Sequence, residues 1–186
     1  LNVVSAGTTT ATVGWTAGGA ETTWQVIALP AAAPAPAPDA TGWTVATTNP
    51  FTIEGLTAGT PYRFYVRAVC GPEDVSAWSA GFLFNTSVCD VANQCLYTFT
   101  LTDSFGDGWN GQTMSVIQGG ITVATLGPQL TTGSGPVNVQ VALCNGTPFS
   151  INWNTGGSFP NEIGLSVTSF LDEVVFTMPF LSASLQ

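Results

Sequence analysis

The stretch of the chain richest in groups able to do chemistry is Asp103-Ser104-Phe105-Gly106-Asp107-Gly108-Trp109-Asn110-Gly111. It packs two carboxylates, one carboxamide and three glycines into nine residues. A hard cation such as calcium takes about six to eight oxygen ligands, and glycine turns let side-chain and backbone oxygens converge on one point. Asp103, Asp107 and Asn110 are the natural side-chain donors. The stretch is no EF-hand, because Phe105 and Met114 stand where that loop needs an oxygen ligand and a bidentate glutamate. A further ligand must therefore come from elsewhere. Glu162, the lone acid entering an apolar segment after Gly156-Gly157-Ser158-Phe159-Pro160-Asn161, is the expected completion, since a carboxylate there is costly without a partner.

Two other readings compete for the same residues. Asp103 and Asp107 could cap a tight turn through side-chain to backbone hydrogen bonds, although two acids held close without a cation repel one another. A glycosidase pair would need carboxylates facing each other across an open sugar cleft, of which the sequence shows no sign. Trp109 either stacks on a sugar ring or another ligand beside the ion, or pins the glycine-rich loop to the core. Trp153, between Asn152 and Asn154 in an alternating segment, is assigned to the core.

The bulk composition narrows the partners. Charged residues are 7% of the 186, hydrophobic types reach 45%, and the net charge is −9. The only basic side chains are Arg63 and Arg67, so a phosphate backbone or an anionic membrane finds little to neutralise it. No apolar run approaches the ~20 residues of a membrane span. The opening Leu1-Asn2-Val3-Val4 reads as an internal or processed piece of a larger protein.

The elements that must position the loop are all strands. In the first half, Ala11, Val13 and Trp15 alternate with Thr12, Gly14 and Thr16, and Trp24, Val26 and Ala28 repeat that period. A third strand covers 62–70, with Tyr62, Phe64, Val66 and Ala68 on one face. Arg63, Tyr65 and Arg67 share the other, so both arginines are expected in solvent. Between the second and third strands lies Pro30-Ala31-Ala32-Ala33-Pro34-Ala35-Pro36-Ala37-Pro38, too proline-rich for a ladder and expected as an extended loop within one domain. That loop is either a stiff surface connection or a docking stretch for a partner.

Four segments together, Ala11-Thr12-Val13-Gly14-Trp15, Ile53-Glu54-Gly55-Leu56-Thr57-Ala58-Gly59-Thr60-Pro61-Tyr62, Tyr65-Val66-Arg67-Ala68-Val69-Cys70 and Ser76-Ala77-Trp78-Ser79, resemble a fibronectin type III domain over residues 1–88. The resemblance implies a β-sandwich in which Trp15, Leu56 and Tyr62 pack the core. This variant is similar to domains of large surface proteins of gliding and marine Bacteroidetes.

Residues 89–186 contain short β segments at 96–102, 114–118, 121–126, 137–143, 149–153, 163–167 and 174–178, punctuated by glycine. Seven or eight such strands predict a second sandwich of jelly-roll type. The meeting of acids from separate loops resembles the calcium site of CUB-type sandwiches. The wider pattern, from Tyr97-Thr98-Phe99 to Leu143-Cys144-Asn145-Gly146, is similar to a repeated module of secreted Bacteroidetes proteins. The fold class expected is therefore all-β, two tandem sandwiches.

Cys70, Cys89, Cys95 and Cys144, in a chain with no histidine, fit no zinc or thioredoxin spacing and read as disulfide cysteines of an oxidising compartment. Of the three possible pairings, Cys95 with Cys144 is favoured, because both flank strands of the second domain. The bridge would close a loop of about fifty residues, worth ~4 kcal/mol in the chain-entropy model. In domains of the resembled family a cysteine commonly stands just upstream of the position of Leu1, which makes Cys70, and with it Cys89, a candidate to pair outside these residues.

With no histidine or lysine, and with its best acids assigned as ligands, the chain is expected not to be an enzyme. The function expected is a structural or adhesive segment of a large secreted cell-surface protein, serving adhesion or gliding motility and rigidified by calcium and disulfides. The alternative is a carbohydrate-binding module of an extracellular enzyme that uses Trp109. Partners would be neighbouring domains of the same chain, surface glycans or other cell-surface proteins, with neither nucleic acid binding nor membrane insertion.

Overall fold

Alternation of apolar and polar residues makes sheets with one buried face, and such sheets are stable only when two of them close on each other. A computed structural model describes residues 1–72 and 74–180 of the chain. They form two compact units, Leu1–Asp90 and Val91–Gln186. Among the described residues the regular structure is antiparallel β, broken only by short 3-10 turns at Val91–Asn93 and Pro160–Glu162. Among the described residues no helix is long and apolar enough to cross a membrane.

In the first unit, strands β1 (Asn2–Ala6), β2 (Ala11–Gly14) and β5 (Phe51–Ile53) form one sheet in the order β1-β2-β5. Strands β3 (Trp24–Pro30), β4 (Thr44–Ala46), β6 (Pro61–Ala68) and β7 (Phe82–Asn85) form the other, in the order β4-β3-β6-β7. Trp15, Trp24, Val26, Leu56, Tyr62, Phe64 and Phe84 fill the space between them, with Trp15 and Trp24 in edge-to-face contact at 5.3 Å. The Tyr62 hydroxyl accepts the Thr57 N–H, which ties the turn before β6 to the strand. Trp15, Leu56 and Tyr62 therefore hold the core positions expected of them.

The proline–alanine segment links β3 to β4, as expected of a loop inside one domain, but it does not stand off in solvent. Its Pro38 carbonyl accepts from Arg67 Nη1, and its Ala37 carbonyl accepts from Trp78 Nε1 at 3.1 Å. Arg67 is consequently buried, where the alternation of β6 placed it in solvent; Arg63 alone is exposed. The period of a strand fixes which face a side chain takes, and a loop folded over that face decides whether water reaches it.

In the second unit, strands β8 (Gln94–Asp103), β11 (Val137–Cys144), β13 (Ile163–Thr168) and β14 (Val174–Met178) form a sheet in the order β11-β8-β13-β14. Strands β9 (Met114–Gln118), β10 (Ile121–Leu126) and β12 (Phe149–Trp153) form a second, in the order β10-β9-β12. Phe99 and Leu101 of β8, Met114 and Val116 of β9, Leu126 of β10, Leu143 of β11 and Leu165 and Val167 of β13 make one core. Each of the seven segments read from the sequence carries one of these strands. Trp153 departs from the core position expected of it: it ends the edge strand β12 and is 46% exposed.

The expected Cys95–Cys144 bridge is also overturned. Cys89 and Cys144 are disulfide-bonded, and Cys95 and Cys70 carry free thiols. Register is the reason. Cys95 lies opposite Leu143, and Cys144 lies opposite Gln94. Directly paired residues share a face while sequence neighbours alternate, so Cys95 follows Leu143 toward the core and Cys144 takes the other face.

Candidate metal site

Strand β8 aims Phe99, Leu101 and Asp103 at the core by the same period of two, and Asp103 is only 2% exposed. The β8–β13 register sets Ile163 opposite Asp103, so Glu162, the residue before β13, arrives at the same end of the sandwich. Backbone hydrogen bonds hold that arrangement: Ser104 N–H to the Glu162 carbonyl at 2.8 Å, and Asp103 N–H to the Ser134 carbonyl at 3.0 Å.

The loop after Asp103 turns back on itself through glycines. Gly108 has φ +87°, and a Cβ there would collide with the backbone of Thr131, so the loop lies flush against a second loop. Trp109 anchors it. The indole is 1% exposed, its Nε1 donates to the Thr102 carbonyl at 3.0 Å, and its backbone N–H donates to the Leu130 carbonyl at 2.9 Å. Of the two roles open to Trp109, the structure gives it the structural one. An indole so enclosed has no face to offer a ligand, so Trp109 does not make the ligand contact expected of it.

The carboxylates of Asp103, Asp107 and Glu162 converge, each offering an oxygen within 4.8 Å of the others. Asp103 is buried, Glu162 half-buried and Asp107 exposed. Asp103 Oδ1 accepts the Gly106 N–H, the capping bond that the turn reading requires. Its Oδ2 is buried with no hydrogen-bond partner, and the same holds for Glu162 Oε2. Turn capping thus accounts for one oxygen and leaves two without a partner, and a buried polar atom left unpaired is unfavourable. Asn110 stands beside the cluster, where its Nδ2 donates to Asp107 Oδ1 at 3.0 Å and braces that carboxylate.

The electrostatics agree with the geometry. Glu162 holds its proton more tightly than an ordinary glutamate, first because it is withdrawn from water and then because Asp107 and Asp103 add negative charge. Three convergent acids with two unpartnered oxygens form a group that could hold a hard divalent cation, and a glycine-rich loop is compatible with the variable geometry of calcium.

Phe105, read from the sequence only as the residue that rules out an EF-hand, and Phe159, given no role there, flank these acids. They are 76% and 59% exposed. Single phenylalanines among glycines carry no periodic signal, and only the folded loops reveal their exposure.

Residues 1–81 match the family model of the fibronectin type III domain. The first unit is thus a fibronectin type III β-sandwich, a structural and non-catalytic type of domain, and together with a disulfide it fits an extracellular protein. No curated protein matches the chain.

Proposed function

We propose that the chain is a structural and adhesive segment of a secreted cell-surface protein, in which calcium held by Asp103, Asp107 and Glu162, with Asn110 bracing Asp107, stiffens one end of the second sandwich. The observation that carries the reading is the pair of unpartnered carboxylate oxygens, Asp103 Oδ2 and Glu162 Oε2, buried beside the third acid. An ion there would join β8, the loop that follows it and the turn before β13, adding to the backbone bonds from Ser104 N–H to the Glu162 carbonyl and from Ser158 N–H to the Asn110 carbonyl. The fibronectin type III domain, the disulfide and the two-sandwich build support an extracellular scaffold. Service in adhesion or gliding, and kinship of the second unit with CUB-type sandwiches, rest on the sequence resemblances.

The test is thermal unfolding of the full chain in EGTA and in calcium. Binding to the folded state alone contributes about 2.7 kcal/mol at a free concentration 100 times Kd. For a unit of this size that is on the order of a 10 °C rise in its transition. The rise is expected in the transition of the second unit only, and Asp103→Asn is expected to abolish it. A transition that calcium and EGTA leave in the same place removes the proposal.

A further inference from the structure

We infer that the metal site is also a sugar-binding site, with Phe105 and Phe159 as its stacking platform and neutral hydroxyl-rich glycans as its ligand class. The inference rests on the calcium reading above and deepens it. Each of the two loops that deliver the carboxylates carries one exposed phenylalanine: Phe105 stands between Asp103 and Asp107, and Phe159 three residues before Glu162. The loops are stitched together around the acids by Ser104 N–H to the Glu162 carbonyl and Ser158 N–H to the Asn110 carbonyl at 3.2 Å. Neither ring belongs to the core. Phe159 moreover has φ 55°, a left-handed backbone that a bulky side chain adopts at a cost. Folding accounts for neither residue, because at 76% and 59% exposure they bury little apolar surface.

Ligand chemistry follows from the ion and from the charge around it. Asp103 and Glu162 point their unpartnered oxygens in from the protein side, while Asp107 lies on the exposed side. Three carboxylates fall short of the six to eight or so oxygens that calcium takes, so positions remain for oxygens from outside the protein. A vicinal diol supplies two at once, and the apolar C–H face of a sugar ring suits an aromatic ring, whose face is electron-rich. The ligand must be neutral. Arg63 and Arg67, the only basic side chains of the sequence, both belong to the first unit, so the second unit itself has no basic side chain to balance a phosphate or a sulfate. The same deficit disfavours anionic lipid.

Binding of the full chain to an array of neutral oligosaccharides with terminal vicinal diols, in calcium and in EGTA, tests the inference. Calcium-dependent binding to a subset of sugars is expected. Phe105→Ala combined with Phe159→Ala is expected to weaken it at least tenfold while leaving the calcium-induced rise in melting temperature intact. Asp103→Asn should remove both. Three outcomes overturn the platform and spare the calcium reading: no neutral glycan bound although calcium raises the melting temperature, sugar binding that survives the double phenylalanine substitution, or calcium-dependent binding to phosphatidylcholine vesicles with none to glycans. Absence of any calcium-induced rise in the unsubstituted chain overturns the calcium reading and this inference with it.

Discussion

Each half of the molecule withdraws charge from water, and the two halves treat it in opposite ways. In the first unit Arg67 is buried, yet its Nε donates to Gln25 Oε1 at 2.7 Å, its Nη1 donates to the Pro38 carbonyl, and its guanidinium carbon lies 4.4 Å from the centroid of the Trp78 ring. All three partners are neutral, and all belong to the chain. In the second unit Asp103 is buried more deeply still, beside two further acids, and two carboxylate oxygens of the cluster are left without partners. A fold that wraps one arginine so fully has the means to satisfy a buried charge. Where it leaves like charges together and unpaired, the arrangement is the one that the proposed cation would balance.

The comparison breaks most visibly at Trp109. Trp109→Ala removes a fully buried indole and is expected to destabilise the second unit by about 3–5 kcal/mol. It also frees the loop carrying Asp107, so the calcium-induced rise in melting temperature should shrink beyond what the lost stability explains. Retention of the full rise in a folded Trp109→Ala protein would show that the loop needs no anchor to bind the ion. The matching change in the first unit, Arg67→Ala, leaves Gln25 and the Pro38 carbonyl without their donor and strips the stacked cover from Trp78. The expected loss is about 2–3 kcal/mol in the transition of the first unit. Because Arg67 is satisfied within the chain, that loss should be the same in calcium and in EGTA. Differential scanning calorimetry of the full chain reads both effects, and a calcium-dependent Arg67→Ala penalty would erase the contrast between the halves.

How much of this was legible in the sequence follows from what kind of signal each feature leaves. Strand positions were legible because alternation is local: Tyr62, Phe64 and Val66 announce a buried face without reference to any other segment. The acids of the site were legible for a related reason. Asp103 and Asp107 crowd a glycine-rich stretch and Glu162 is a lone acid entering an apolar segment, and acids so placed ask for a partner. Features that depend on two segments at once were not. Arg67 takes the face that alternation gives it, but only the folded proline–alanine loop covers it. Cys95 and Cys144 flank paired strands, yet a register displaced by one residue separates their side chains, and register is fixed by the whole sheet and not by spacing along the chain. Trp109 and Trp153 were indistinguishable by type. The tertiary position of each, inside the loop for one and at the end of an edge strand for the other, decides which is buried.

The smallest effect is the sharpest probe of the comparison, because its sign depends on the ion. In the calcium-free chain the Glu162 carboxyl is raised above its ordinary value of 4.5. A group raised in this way contributes stability that is fully present below the ordinary value and is lost as pH rises through the raised one, since the folded state then holds a charge it disfavours. Glu162→Gln keeps the shape and discards the charge. In EGTA it should be nearly neutral at pH 4 and should gain on the unsubstituted chain between pH 4 and pH 7, as the wild-type carboxyl ionises beside Asp103 and Asp107. In saturating calcium at pH 7 the order should invert, because the ionised glutamate becomes a ligand and glutamine a poor replacement. Melting curves in the two media at three pH values suffice to see the crossing. A Glu162→Gln protein that is the less stable of the two in EGTA at pH 7 would mean that the folded chain already balances this charge, and the argument that it awaits a cation would lose its footing.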